Sequence, residues 1–306
     1  MTDPLIVFDI VLAAGIIWMA WTSLASAESF RMIVAFMAFG ILVALAWARL
    51  NAPDVALAEA AVGAGVTGAL FLRTIGLLRR PEQPETAGWG LRVSAAVLAA
   101  TVAVALSAAL VAFPRSADGY DALVAVNLDE SGVTNPVTAV LLNFRAYDTL
   151  LEVVVLLAAL LAVIMIGARQ GYVHRGLGPL FEPFARLVVP LSIVTAAYLL
   201  WLGSSRPGGA FQAGAVLAAG LSVLLMGRVY IPRHFHIVLL RWLAMGGLIV
   251  FAGAAVGTLI LTGGLLQYPE GMDKIWIVGI ETALTVSIGV VLAVLFHGGL
   301  PKGGEG

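Results

Sequence analysis

The chain has 306 residues, of which 61% are hydrophobic and only 11% charged, with a formal net charge of -1 and a mean hydropathy of +1.01. That composition describes an integral membrane protein and leaves few residues for a soluble domain. The absence of cysteine excludes disulfides, thiolate metal sites and iron–sulfur ligation, so electrons have no obvious seat, and nothing points to a nucleic-acid partner.

A transmembrane helix needs roughly 20 mostly apolar residues, and hydropathy predicts an all-α polytopic protein with about nine spans, at about 4–25, 32–48, 55–77, 92–113, 147–168, 187–203, 209–227, 242–264 and 275–296. The first stretch ends in Ala25-Ser26-Ala27, which looks like a signal-peptidase site. Its n-region has no positive charge and Asp9 interrupts the h-region, so it reads as a retained span. In the third stretch, Gly63, Gly65 and Gly68 spell a dinucleotide fingerprint, but no strand precedes them and the setting is apolar. With Ala60, Ala61, Ala64 and Ala69 they read instead as a thin helix for close packing, and Gly253 to Gly257 offers a second such face. The longest break, Pro114 to Arg145, carries Asp118, Asp121, Asp129 and Glu130 and reads as a hydrated loop with a short interfacial helix from Pro136 to Asn143.

Basic residues set the orientation. With the N-terminus outside, the inner side holds Arg31, Arg79, Arg80, Arg92, Arg169, Arg175, Arg186, Arg228, Arg233, Arg241 and Lys302. The outer side holds only Arg49, Arg115, Arg145, Arg206 and Lys274, while Arg73 lies within a span near its inner end. The positive-inside rule therefore favours an outside N-terminus and a cytoplasmic C-terminus. Trp21, Trp89 and Trp242 at inner ends, with Trp47, Trp201 and Trp276 at outer ends, form the matching aromatic belt.

Carboxylates inside the spans are the candidate functional groups, because an ionisable residue in hydrocarbon is costly and is usually kept for an ion or proton. Glu59 lies alone in an uncharged run and has no capping role. Asp54, after Pro53 at the mouth of the same span, suits a helix N-terminus, where a carboxylate caps free N–H groups. Asp148 and Glu152 share a helix face, with Arg145 available to pair with Asp148 and Glu152 a further turn inward. Glu281 sits well inside the last span beside Thr282 and Thr285, whose hydroxyls either extend a hydrogen-bonded chain or bond back to the helix. Asp9 in the first span completes the set. Pro207-Gly208-Gly209 opens the seventh span with Gln212 one turn later; a tight turn is the plain reading, and a water-lined break is the other. His234 and His236 lack the i, i+4 spacing of a helical metal pair and read as contacts to lipid head groups or a partner, with a pH sensor as the alternative.

Several stretches carry a resemblance. Arg49-Leu50-Asn51-Ala52-Pro53-Asp54, continuing through Glu59 to Gly65, resembles a segment of membrane-arm subunits of Mrp-type cation/proton antiporters and of the related membrane-bound hydrogenases. Asn143-Phe144-Arg145-Ala146-Tyr147-Asp148, on to Glu152, is similar to the small module that follows it in those complexes. Arg206-Pro207-Gly208-Gly209-Ala210-Phe211-Gln212, continuing through Ile277 to Glu281, looks like the B-type domain of Mrp antiporters. The resemblance implies a three-span module at 1–82, a two-span module at 83–180 with an extracytoplasmic loop at 114–145, and a four-span B-like domain at 181–306. In many Mrp complexes the first two modules end the large A-type protein; here they are joined to the B-like part.

The resemblance further implies a subunit of a Na⁺ (or other monovalent cation)/H⁺ antiporter in a prokaryotic inner membrane. Its partners would be the other subunits and the bilayer. It would have no resident cofactor, and Glu59, Glu152, Glu281, Asp148, Asp54 and Asp9 would be candidates for the ion or proton path. Two alternatives stand beside it: the same module in a redox-driven complex such as a membrane-bound hydrogenase, and a structural scaffold. No nucleophile, base and orienter combine as an enzyme would need.

Overall fold

The structure is a computed structural model and describes residues 4–77, 88–112, 119–166, 178–227 and 233–298. Arg79, Arg80, Arg115, Asp118, Arg169, Arg175, Arg228, Lys302 and the side chains of Arg233, His234 and His236 lie outside the described residues. Every regular element among those described is helical. Eight helices are long and apolar enough to cross a membrane, and the expected seventh span is present as a shorter apolar helix, Ala210–Met226.

The chain opens with a helical hairpin, α1 (Pro4–Ala25) and α2 (Ser29–Arg49). Asn51, at φ 58°, turns the chain in a left-handed conformation that asparagine tolerates. Pro53 then starts the third span at N1, where its missing N–H costs nothing. That span is not a uniform α-helix: α3 (Pro53–Ala58) gives way to a π-helical stretch, Glu59–Val66, before α4 (Thr67–Leu77) resumes. Such π segments widen the helix locally and occur frequently at functional sites. Here the small residues pack as expected, for a Cβ on Gly40 of α2 would lie only 3.0 Å from that of Ala64. Gly253 and Gly257 do not, because a Cβ on Gly253 would meet open space and one on Gly257 only ordinary contact with Trp276 at 3.5 Å. The buried residues of that stretch are Ala254 and Ala255, so the face turned into the protein is alanine rather than glycine.

Helix α5 (Trp89–Ala112) is exposed along its whole length. The following loop is less hydrated than its acidic residues imply. After α6 (Asp121–Asn127) and a 3₁₀ turn, Leu128–Ser131, it dips into the protein through α7 (Pro136–Ala139) and a second π-helical stretch, Val140–Phe144. The expected short helix therefore forms, but Ser131, Thr138, Ala139 and Leu142 are buried, so it is part of the core rather than purely interfacial. Its polar groups are accounted for by specific bonds: Ser131 Oγ donates to Leu128 O at 2.6 Å and Asn143 Nδ2 to Ser131 O at 3.2 Å.

Helices α8 (Ala146–Ile166), α9 (Phe181–Gly203), α10 (Ala210–Gly227), α11 (Arg233–Thr262) and α12 (Asp273–His297) complete the chain. α12 is the axis, packed by α8, α9, α10 and α11 and touched at its foot by α4. Ile277, Ile280, Leu284, Ile288, Val291 and Val294 of α12 are almost entirely enclosed. In a bilayer, packing rather than escape from water holds helices together, and glycine lets them approach. A Cβ on Gly214 of α10 would stand 2.7 Å from Ile288 of α12. The C-terminus of α12 is capped from afar: Arg73 of α4 donates to the carbonyl of His297 and stacks over Phe296 at 5.7 Å. A cation there also suits the negative end of the helix. Lys274, expected just outside a span, falls in the first turn of α12.

Candidate functional site: a buried carboxylate at the turn between α9 and α10

Glu281 is the one charged residue among the described residues that is buried, at 2% exposure. It lies on α12, which brings its carboxylate against the turn linking α9 to α10. Two glycines make the space: a Cβ on either Gly203 or Gly209 would stand 3.2 Å from Glu281 Oε1. Gly209 also adopts φ 120°, which side chains rarely tolerate. The Ala210 N–H, freed by its place in the first turn of α10, bonds to the carboxylate. Among the described residues Oε2 has no hydrogen-bond partner, and no ion pair reaches Glu281. Thr285 Oγ1 donates to the Glu281 main-chain carbonyl at 2.8 Å, and Thr282 to that of Val278 at 2.7 Å. Both hydroxyls therefore bond back to their own helix and form no chain to the carboxylate.

Distant segments lock the turn in place. At the end of α9, Gly209 N–H donates to Leu199 O at 3.0 Å. Asn135 caps α7 by accepting from Val137 N–H at 2.9 Å, and its Nδ2 donates to Gly203 O at 3.3 Å and Arg206 O at 3.0 Å. Thr138 Oγ1 adds a bond to Gly203 O at 2.5 Å. From the N-terminal helices, Asp54 Oδ1 accepts from Gly208 N–H at 3.2 Å, while Gln212 Nε2 donates to Asp54 O at 3.3 Å. Asp54 occupies the first turn of α3 but makes no capping bond there; α3's N-cap, Ala52, also has none. The capping expectation is thus corrected: the carboxylate is turned across to the α9–α10 turn, where it accepts the Gly208 N–H just before α10 begins.

The other candidates lie elsewhere. Glu59 is half-buried at the start of the π-helical stretch and folds over Gly63, where any Cβ would collide with its carboxylate. Asp9 is paired with Arg49 at 2.9 Å, and Asp148 with Arg145 at 2.5 Å, both at exposed positions. Glu152, one turn beyond Asp148, is on the exposed side of α8. Asp54 and Glu281 therefore meet at one turn, while Glu59, Glu152, Asp148 and Asp9 do not join them. Asn135, Thr138 and Gly203 were not foreseen as part of this region. The Asn135-Pro136 pair, a helix-start signature, was the available signal.

Fold and site together define a multi-pass, all-helical membrane protein with a carboxylate enclosed among its helices. Comparison makes this more particular. Residues 14–80 match the MbhD family, described as the D subunit of MBH, and residues 180–298 match the domain related to the MnhB subunit of Na⁺/H⁺ antiporter. A protein of Rhizobium meliloti (strain 1021) described as a probable K⁺/H⁺ antiporter A/B subunit is 25% identical over 344 residues, spanning 95% of this chain and 34% of that protein. The chain thus spans about a third of that relative's length. The solved Mrp complex of Dietzia sp. DQ12-45-1b contains a chain of the same fold, with a TM-score of 0.76 at 23% identity, covering 94% of this chain and 34% of that one. The chain is thus similar to the MbhD family over its N-terminal part and to the MnhB-related domain over its C-terminal part, with both likenesses on one polypeptide.

Proposed function

We propose that this protein serves a monovalent cation/proton antiporter complex of the Mrp type in a prokaryotic cell membrane, and that Glu281 holds the exchanged proton or cation within this chain. The carrying observation is a carboxylate 2% exposed with one oxygen unpartnered among the described residues. Polar groups buried in a membrane are expected to be satisfied, so an incompletely served carboxylate supports a missing proton or ion as its partner. Glu59 and Glu152 extend the path at surfaces where neighbouring subunits would cover them, and the 210–227 helix acts as the ninth span, with the N-terminus outside. Asp9 and Asp148, each paired with arginine, are read as structural.

The test is Glu281→Gln in the assembled complex, reconstituted into vesicles with cation-driven proton flux as the readout. Loss of flux with subunit composition unchanged is expected; undiminished flux ends the proposal. A second reading, membership of a redox-driven complex, is favoured by the match of residues 14–80 to MbhD. Mass spectrometry of the natively purified complex separates the two, because iron–sulfur or nickel proteins would accompany only the second.

A further inference from the structure

The turn that encloses Glu281 is gripped on its other side by a residue far away in sequence. Asp54 engages it through both its side chain and its backbone, with Gly208 N–H on Oδ1 and Gln212 Nε2 on the main-chain oxygen. Between those two grips lie Gly209, whose Cα forms part of the wall against Glu281 Oε1, and Ala210, whose N–H bonds to that carboxylate. Gln212 closes the arrangement, since a Cβ on Gly209 would stand 3.6 Å from Gln212 Oε1 as well as 3.2 Å from Glu281 Oε1. Asn135, Thr138 and the Gly209 N–H hold the rest of the α9–α10 connection, and Asp54 receives the Gly208 N–H. Proline and two glycines carry no side-chain hydrogen bonds, and Gly209 has ready access to other backbone conformations.

We propose that Asp54 is a positioning residue for Glu281, clamping the Gly208–Gly209 turn so that α10 begins with its first N–H groups directed at the α12 carboxylate. The third span is thereby coupled to the buried acid through two hydrogen bonds and the short backbone between them. Asp54 begins the span that contains the Glu59 π-helical stretch, so a shift of that span is delivered to Glu281 by this clamp. Among the described side chains, none of the other charged groups on elements packed against α12 forms an ion pair with Glu281. Arg73 caps the opposite end, Asp148 pairs with Arg145, Glu182 pairs with Arg186 at the start of α9, Glu152 faces outward, and Arg241 lies early in α11.

This inference rests on the reading of Glu281 as the exchanging group, and the experiment keeps the two apart. Dicyclohexylcarbodiimide, which modifies protonated carboxyls in apolar surroundings, is applied to the whole purified complex, and modification of Glu281 is followed by mass spectrometry alongside flux. In Asp54→Ala the Gly208 N–H loses its acceptor; flux is expected to fall about tenfold or more, and the rate of modification at Glu281 to change. In Asp54→Asn the amide oxygen still accepts from Gly208, so both readouts return towards wild type. Positioning is overturned if Asp54→Ala leaves both readouts unchanged. It is overturned equally if Asp54→Asn assembles but is as inactive as the alanine variant, because the carboxylate itself would then be the carrier. Should the alanine variant not assemble, the asparagine variant decides alone by the same criterion. If instead wild-type Glu281 is never modified and Glu281→Gln transports normally, the failure lies with the role of Glu281 and not with the clamp.

Discussion

Replacing Gly203 with alanine tests the glycine cradle most directly, because the added carbon has nowhere to go. Its Cβ would stand 2.7 Å from Gly209 Cα, 2.9 Å from Gly209 N and 3.2 Å from Glu281 Oε1. Carbon atoms rest about 3.5–4.0 Å apart, so relief requires the end of α9 and the turn to separate by roughly 1 Å. The obstructing atoms are backbone, which no rotamer change moves aside. Overpacking of this kind costs about 1–3 kcal/mol. Gly203 ends a helix with helical geometry, so alanine recovers up to about 1 kcal/mol of conformational entropy. The net loss, at most about 3 kcal/mol, leaves the complex assembled, whereas a displacement near 1 Å at a reacting group costs on the order of a hundredfold in rate. Cation-driven proton flux in reconstituted vesicles, normalised to assembled complex, is the assay. Gly279→Ala is the control, since a Cβ at that neighbouring α12 position meets nothing within 4 Å. Flux in Gly203→Ala indistinguishable from that control would show that close approach of the turn to Glu281 is not required.

Tyr268 buries its ring against Trp276 and donates to Leu142 O at 2.7 Å, so Tyr268→Phe should cost about 1 kcal/mol, read from the thermal midpoint in detergent. Burial, with Asp273 nearby, pushes the phenol well above its ordinary value, which favours the neutral form in the fold. Its contribution is therefore full below about pH 10 and declines as pH rises beyond that, an alkaline loss that the phenylalanine variant should lack. Asp9→Asn breaks the exposed pair with Arg49 and should shift the midpoint by less than about 1 kcal/mol equivalent without affecting flux; a large flux loss in intact complex would return Asp9 to the path.

Span positions were legible because a bilayer requires long apolar runs and chain order alone reveals them. The helix start at Pro53-Asp54 was equally plain, since proline carries its backbone preference with it. The π-helical stretch at Glu59–Val66 was not: its residues are compatible with an ordinary helix, and its neighbours α2 and α10 come from other parts of the sequence. The acidic loop misled for a related reason. Polarity marks a segment as needing hydrogen-bond partners but does not say whether water supplies them, and here Asn135 and Thr138 find theirs in the open carbonyls at the end of α9. Asp54 likewise looked like a local cap because its true partner, Gly208, lies 154 residues away.

The same comparison of donors with acceptors separates the acidic residues from one another. Asp9 and Asp148 each meet an arginine, and Asp54 accepts from a backbone N–H, so their negative charge is met within the chain. Glu281 is enclosed more deeply than any of them, yet receives the Ala210 N–H while its second oxygen goes unmet among the described residues. A scaffold built for rigidity would place an arginine or a hydroxyl in the space that Gly203 and Gly209 keep clear. Glycines that admit a carboxylate without answering its charge leave room for something small that arrives and departs, which is the physical requirement of an exchange site and the reason the alanine and glutamine variants must fail together if the proposal is right.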